Sequence, residues 1–218
     1  MAEVTKRYAV VTGANKGIGL EICKQLAQKG IIVVLTSRDE KRGLESHQSL
    51  KDSGLSDHLL FHQLDVADPE SITSLANFVK KHFGKLDILV NNDGILGATF
   101  SIPPGCEPNG GDRLEEISTG LTTEEKLSEI ISEYLRDFKE GTHGSNGWPT
   151  FLSVYTVSKV ALNAYTRILA NKYPDFCINC VCPGYAKTDI NYNAGTITTE
   201  EGAKTPIMLA LLPKGLYH

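Results

Sequence analysis

The chain has 218 residues, 41% hydrophobic and 22% charged, with a formal net charge of −4, the composition of a soluble globular protein long enough to bury one large core. That balance gives no basic footprint for nucleic acid, no apolar run approaches the roughly 18 residues of a membrane-spanning helix, and Met1 to Arg7 has no signal-peptide apolar region. Five cysteines, Cys23, Cys106, Cys177, Cys180 and Cys182, are an odd number without a leader and point to a reduced, cytoplasmic chain. Cys177-x-x-Cys180 has no second Cys/His pair nearby, and Cys180 and Cys182 alternate in an apolar run. They read as strand core, and no metal site is predicted.

The first element is a strand, Tyr8-Ala9-Val10-Val11, which breaks into Thr12-Gly13-Ala14-Asn15-Lys16-Gly17-Ile18-Gly19 and then into helix-forming sequence from Leu20. The first N–H groups of a helix lack intrahelical partners and favour a phosphate, and glycines let the backbone come close to it. The spacing, Gly-x-x-x-Gly-x-Gly, is one residue wider at the front than the common dinucleotide fingerprint. The reading as a dinucleotide site therefore rests on the strand before it and the helix after it.

Ile31 to Thr36 is a continuous β-branched run, the mark of a parallel strand buried on both faces. A polar helix follows from Glu40 to Lys51, and a third strand, Leu59 to Leu64, leads into Asp65 and Val66. Pro69-Glu70 then opens a helix whose inner face carries Ile72, Leu75, Ala76 and Val79, and Leu86 to Val90 is the fourth strand. His58 and His62 sit in strand sequence and read as surface or turn residues. Short connections between alternating strands and helices predict an α/β, doubly wound parallel sheet of Rossmann type in a single domain spanning 1–218.

From Gly94 to Gly120 neither period holds, and prolines and glycines predict an irregular loop over 95–121. Thr122 then reads as the N-cap of an amphipathic helix over 122–139, with Leu127, Ile130, Ile131, Tyr134, Leu135 and Phe138 at helical spacing. A Gly-rich link, a long helix from Tyr155 to Lys172, a strand from Phe176 to Val181, a stop at Pro183-Gly184 and a helix from Glu200 to Leu212 complete the chain.

Two features carry chemistry. At the end of the second strand, where an acid would bind the ribose 2′-hydroxyl of NAD, stand Ser37 and Arg38. A guanidinium pairs with a 2′-phosphate that a carboxylate repels, so the pair argues for NADP (NADPH), with Lys16 as a second cation. In the late helix, Tyr155 and Lys159 share one face at i, i+4, and an adjacent ammonium favours the phenolate. Such a phenol is suited to protonate the oxygen of a carbonyl as hydride reaches its carbon.

With these motifs in this order, most of the chain resembles the short-chain dehydrogenase/reductase family. The match runs through Thr12, Gly13, Asn15, Gly17, Ile18 and Gly19, the adenine-side acid Asp65 with Val66, Asn91-Asn92-x-Gly94, the pair Tyr155 and Lys159, and Pro183-Gly184 with Thr188. More closely it is similar to the plant subgroup of salutaridine and menthone (neomenthol) reductases, in which an additional helix is implicated in a monomeric state and corresponds to the helix after Thr122. The resemblance implies that Lys159 also binds the nicotinamide ribose and that Asn92 shapes the cofactor site. It further implies NADPH-dependent reduction of a terpenoid- or alkaloid-type ketone, with a small-molecule substrate and no nucleic-acid or membrane partner.

The chain also departs from the family pattern. The fifth strand and its preceding helix, which carry the family's catalytic serine and asparagine, find no counterpart, so no serine among Ser101, Ser118 and Ser145 takes that role. Asp93 stands where the family has alanine and sets a carboxylate near the cofactor. A fourth strand without its outer neighbour leaves ladder groups unpaired. The expectation is that the strand from Phe176 moves in beside Leu86 to Asn91, or that a gap remains and the chain is poorly stable. The alternative function is a catalytically impaired NADP-binding protein derived from such a reductase.

Overall fold

In the computed structural model, residues 6–94, 112–119 and 123–213 are described. They fall into two compact units, one built from 6–94 and 181–213, the other from 112–180.

The first unit begins with the expected alternation: β1 (Tyr8–Val11), α1 (Gly17–Gln28), β2 (Ile32–Ser37), α2 (Glu40–Leu50), β3 (Leu59–Gln63), α3 (Pro69–Phe83) and β4 (Ile88–Val90). The four strands form a parallel sheet in the order β3-β2-β1-β4, with Ala9 opposite Val33 and Ile88. Successive side chains on a strand point to opposite faces, and the core divides accordingly. Ala9, Val11, Val33 and Leu35 pack with Ile22, Cys23 and Leu26 of α1, whereas Val10 and Val34 pack with Leu75 and Val79 of α3. Burial on both faces is why β2 reads as unbroken Val/Ile/Leu rather than as alternation. On α3 the inner stripe is narrower than its pattern suggested, since Ile72 and Ala76 are exposed.

The second unit is helical. It holds α4 (Asp112–Thr119), α5 (Glu124–Glu140) and α6 (Ser153–Lys172). The loop expected over 95–121 therefore contains a helix; the rest of that stretch lies outside the described residues. Thr122, the expected cap of α5, also lies outside them, and Thr123 caps the helix by accepting from the Lys126 N–H. The buried stripe of α5 is Leu127, Ile130, Tyr134 and Asp137, while Leu135 and Phe138 face solvent. Around Tyr134 gather Ile117, Trp148, Val157, Ala164 and Ile168. The last carbonyls of α4, left without intrahelical donors, are met by Arg167 of α6, which donates to Ile117 O at 3.2 Å and Ser118 O at 2.7 Å.

The first unit is completed by α7 (Thr199–Leu211), opened by a capping box in which the Thr198 hydroxyl accepts from the Glu201 N–H while the Glu201 carboxylate accepts from the Thr198 N–H. It packs against α1, burying Ala203 and Ile207 in that core.

One expected strand is absent. Phe176 to Val181 forms no ladder; Phe176, Cys177, Cys180 and Val181 are exposed, as is Cys182. The sheet stays at four strands with β4 at its edge, and the three cysteines are not strand core. A strand is held by its neighbour's hydrogen bonds, and Phe176 to Val181 shares none with the described strands, so the open edge of β4 is not taken up by it.

Candidate active site

Two groups of residues carry the predicted chemistry, one in each unit. In the first unit the turn between β1 and α1 is held open by its glycines: Gly13 and Gly17 take φ of +58° and +59°, a backbone conformation that side-chain-bearing residues adopt at a cost. Gly19 is required for a different reason, because a Cβ there would stand 2.4 Å from Asn92 Nδ2 and 2.8 Å from Gly13 O. Lys16 precedes α1 without a side-chain cap, and no acid occupies the first turn. The helix N-terminus thus keeps the partial positive charge that favours a phosphate.

Asn92 locks the turn to the end of β4. Its amide donates to Thr12 O at 3.0 Å and Gly13 O at 3.2 Å, and the N–H groups of Asn92 and Asp93 both donate to Thr12 Oγ1 at 3.0 Å. Thr12 is buried, and it does more than mark the motif, since its hydroxyl fixes the chain after β4. From α2, Ser46 donates to Asn15 O at 2.6 Å. The sequence offered no periodic signal for that contact, which joins residues 31 apart.

The structure gathers Pro183, Gly184 and Thr188 at the same turn. A Cβ on Gly17 would meet Thr188 Cγ2 at 3.4 Å, and one on Gly202 would meet Pro183 O at 3.3 Å and Ile18 Cδ1 at 3.6 Å. Gly184 has φ +81°. Asp189 holds the Lys16 ammonium at 3.0 Å, both groups being exposed. Lys16, expected as a second cation, thus stands at the turn with its ammonium facing an exposed carboxylate, a pairing of the kind worth little at a solvated surface. Asn191, four residues after Lys187, caps the short turn by accepting from the Thr188 N–H; the Thr-x-x-Asn spacing was the signal available for it.

At the end of β2, Ser37 is buried and its hydroxyl donates to Asp39 O at 3.0 Å. Arg38 is exposed, and among the described residues its guanidinium has no carboxylate partner. Asp65 and Val66 form the turn after β3, where the Asp65 carboxylate accepts from the Ala67 N–H at 3.0 Å. Asn91 and Gly94 are exposed after β4. These residues fit a dinucleotide: an open helix N-terminus, a glycine turn with no room for a Cβ at Gly13 or Gly19, and an unpaired cation beyond the second strand.

In the second unit, Tyr155 and Lys159 lie on one face of α6, with Lys159 Nζ over the Tyr155 ring, 5.7 Å from its centroid. Helix α6 is entered through Leu152 in a left-handed conformation, φ +48°, unusual for a residue with a bulky side chain. Its first residue, Ser153, is buried and pairs with the Tyr134 hydroxyl at 2.9 Å. Burial raises the Tyr134 phenol above its ordinary range, and the Ser153 hydrogen bond partly offsets this. Of the serines weighed for catalysis, Ser118 lies exposed in α4, Ser145 donates to Thr142 O, and Ser101 is outside the described residues.

A parallel sheet wound on both faces, with a glycine turn and the polar residues following its strands gathered at their carboxyl ends, defines a dinucleotide-binding α/β protein. Residues 7–106 match the short chain dehydrogenase family. The chain is 45% identical to a (+)-neomenthol dehydrogenase of Arabidopsis thaliana, over 98% of its own length and 94% of that protein's. It is 40% identical to salutaridine reductase of Papaver somniferum, over 96% and 92%. Among solved structures it is similar to that salutaridine reductase, with a TM-score of 0.85 and 38% identity over 95% of this chain and 96% of the other. It is also similar to menthone neomenthol reductase from Mentha piperita, with a TM-score of 0.80 and 37% identity over 97% and 96%. The chain belongs to the short-chain dehydrogenase/reductase family. The span aligned with the Arabidopsis protein is 278 residues, longer than the chain's 218. That relative therefore carries a stretch inside the matched region with no counterpart here.

Proposed function

We propose that this chain is an NADPH-dependent reductase that converts a terpenoid- or alkaloid-type ketone to its alcohol, acting as a monomer in the cytoplasm. The observation that carries the reading is the Tyr155–Lys159 face of α6, and the similarity to neomenthol dehydrogenases and salutaridine reductase supports the substrate class. Bound NADPH supplies the hydride. As charge develops on the carbonyl oxygen, Tyr155 donates its phenolic proton to it, and the Lys159 ammonium lowers the cost of the phenolate left behind. By the family resemblance, Lys159 would also bind the nicotinamide ribose. The glycine turn and the N-terminus of α1 would hold the diphosphate, Pro183-Gly184 with Thr188 would serve the nicotinamide side, Asp65 with Val66 would serve the adenine side, and Asn92 would shape the site. The test is NADPH oxidation followed by absorbance with menthone-like cyclic ketones: stoichiometric alcohol formation supports the reading, and its absence sinks the activity.

A second reading has its own support. The stretch missing relative to the Arabidopsis protein, with the family's catalytic serine placed on no residue, favours an NADP-binding protein of impaired turnover. Loss of one oxyanion donor typically costs about 10²–10³ in rate. NADPH binding without turnover distinguishes it.

Arg38 sets the choice of cofactor. Arg38→Glu exchanges a cation for an anion at the 2′-phosphate and is expected to weaken NADPH binding by about 10²-fold, with NADH affected far less. Fluorescence titration of both cofactors checks this; equal losses for the two would remove Arg38 from 2′-phosphate recognition.

A further inference from the structure

The carboxylates of the proposed cofactor site differ in what they face. Asp189 is paired with Lys16, and Asp65 accepts from the Ala67 N–H. Asp93 is anchored only through its backbone, by the N–H that donates to Thr12 Oγ1. Among the described residues its carboxylate accepts no hydrogen bond and meets no cation, and the residue is exposed. Yet it lies directly against the turn: the position a Cβ would take on Gly13 is 2.8 Å from both Asp93 Oδ1 and Asp93 Cα. The neighbouring Asn92 is locked to the same turn by two amide hydrogen bonds, so the backbone that presents Asp93 is held in place. The turn's own cation, Lys16, faces Asp189 rather than Asp93.

We propose that Asp93 is an affinity-setting residue of the cofactor site, whose unpaired carboxylate against Gly13 opposes the diphosphate of NADPH and keeps binding weaker than the turn alone would give. The inference rests on the reading of this turn as an NADPH site. Two like charges a few ångström apart at a protein surface repel measurably and lose that repulsion as salt screens them.

The test is NADPH affinity of the full chain by fluorescence titration, for the parent, Asp93→Asn and Asp93→Ala, at low salt and near 1 M salt. Both variants are expected to bind NADPH about tenfold more tightly at low salt, and the gain is expected to shrink toward unity at high salt. Because the anchoring N–H is kept, melting without cofactor is expected to stay within about a degree of the parent. A gain with Ala alone would assign the effect to bulk and overturn the proposal. So would weaker binding by Asp93→Asn, which would make the carboxylate an acceptor for a cofactor hydroxyl. Equal binding by parent and variants overturns this inference alone; no binding by any of them overturns it together with the NADPH reading.

Discussion

Tyr155→Phe is expected to lower ketone turnover by about 10²–10⁴-fold while NADPH binding changes little, because the substitution removes a proton donor and leaves the ring in place. Lys159 Nζ lies over that ring at 5.7 Å, so the ammonium keeps its aromatic neighbour in the variant and α6 keeps its local packing. Lys159→Met should reduce turnover to a similar degree and also weaken cofactor binding, because the proposed role of the lysine includes the nicotinamide ribose. The measurement is single-turnover NADPH oxidation alongside a binding titration, which separates chemistry from affinity. If the parent binds NADPH and turns over no ketone, and Tyr155→Phe is indistinguishable from it, the impaired reading holds.

The second large effect falls on stability. Trp148 is buried in the helical unit, meets the Tyr134 ring edge-on at a centroid distance of 5.1 Å, lies under the Arg113 guanidinium and donates its indole N–H to Asp137 Oδ2 at 2.9 Å. Trp148→Ala is expected to destabilise this unit by about 3–5 kcal/mol, enough to consume a large part of an ordinary domain's stability. Urea unfolding followed by far-UV circular dichroism reads the loss as an earlier transition. A midpoint unchanged from the parent would show that the tryptophan contributes nothing to the packing.

Asp137 makes that contact pH-dependent. The Trp148 hydrogen bond first, then one from Asn146, holds its carboxyl below the usual range against the opposing effect of burial, with Arg136 and Arg113 adding smaller support. A group with a depressed folded pKa binds its proton more readily in the unfolded chain. Its stabilisation is therefore complete above the ordinary carboxylate pKa and is lost as pH falls through the folded value. Asp137→Asn is expected to flatten the fall in unfolding midpoint between about pH 5 and pH 3; a profile parallel to the parent's would remove Asp137 from the acid response.

The sheet of the first unit was legible because its central strands, β1 and β2, are buried on both faces and its helices on one. Val33-Val34-Leu35 leaves no other placement, and the turn from Thr12 to Gly19 is punctuated by residues that only such a turn requires. The helix expected from Glu200 to Leu212 is α7, and its capping pair, Thr198 and Glu201, emerged only in the structure. The helical unit was read less well. The spacing of Leu127, Ile130 and Tyr134 gave α5 its face, but continued through Asp137, a carboxylate that periodicity assigns to solvent and that the indole of Trp148 makes tolerable inside. Helix α4 was missed because Arg113, Glu115 and Glu116 dilute its short apolar stripe, and part of its support is distant, from Arg167.

The amino-acid sequence by itself determined the parallel sheet order of elements, the dinucleotide turn, the cation beyond β2 and the Tyr155–Lys159 face, because each is a local pattern whose spacing is its geometry. Only the tertiary structure decided that Phe176 to Val181 is not a strand, that Lys16 is held by Asp189 and that the Asp93 carboxylate lies unpaired against Gly13. Those outcomes turn on contacts, made or not made, between residues roughly 80 to 170 positions apart, and no local pattern encodes them.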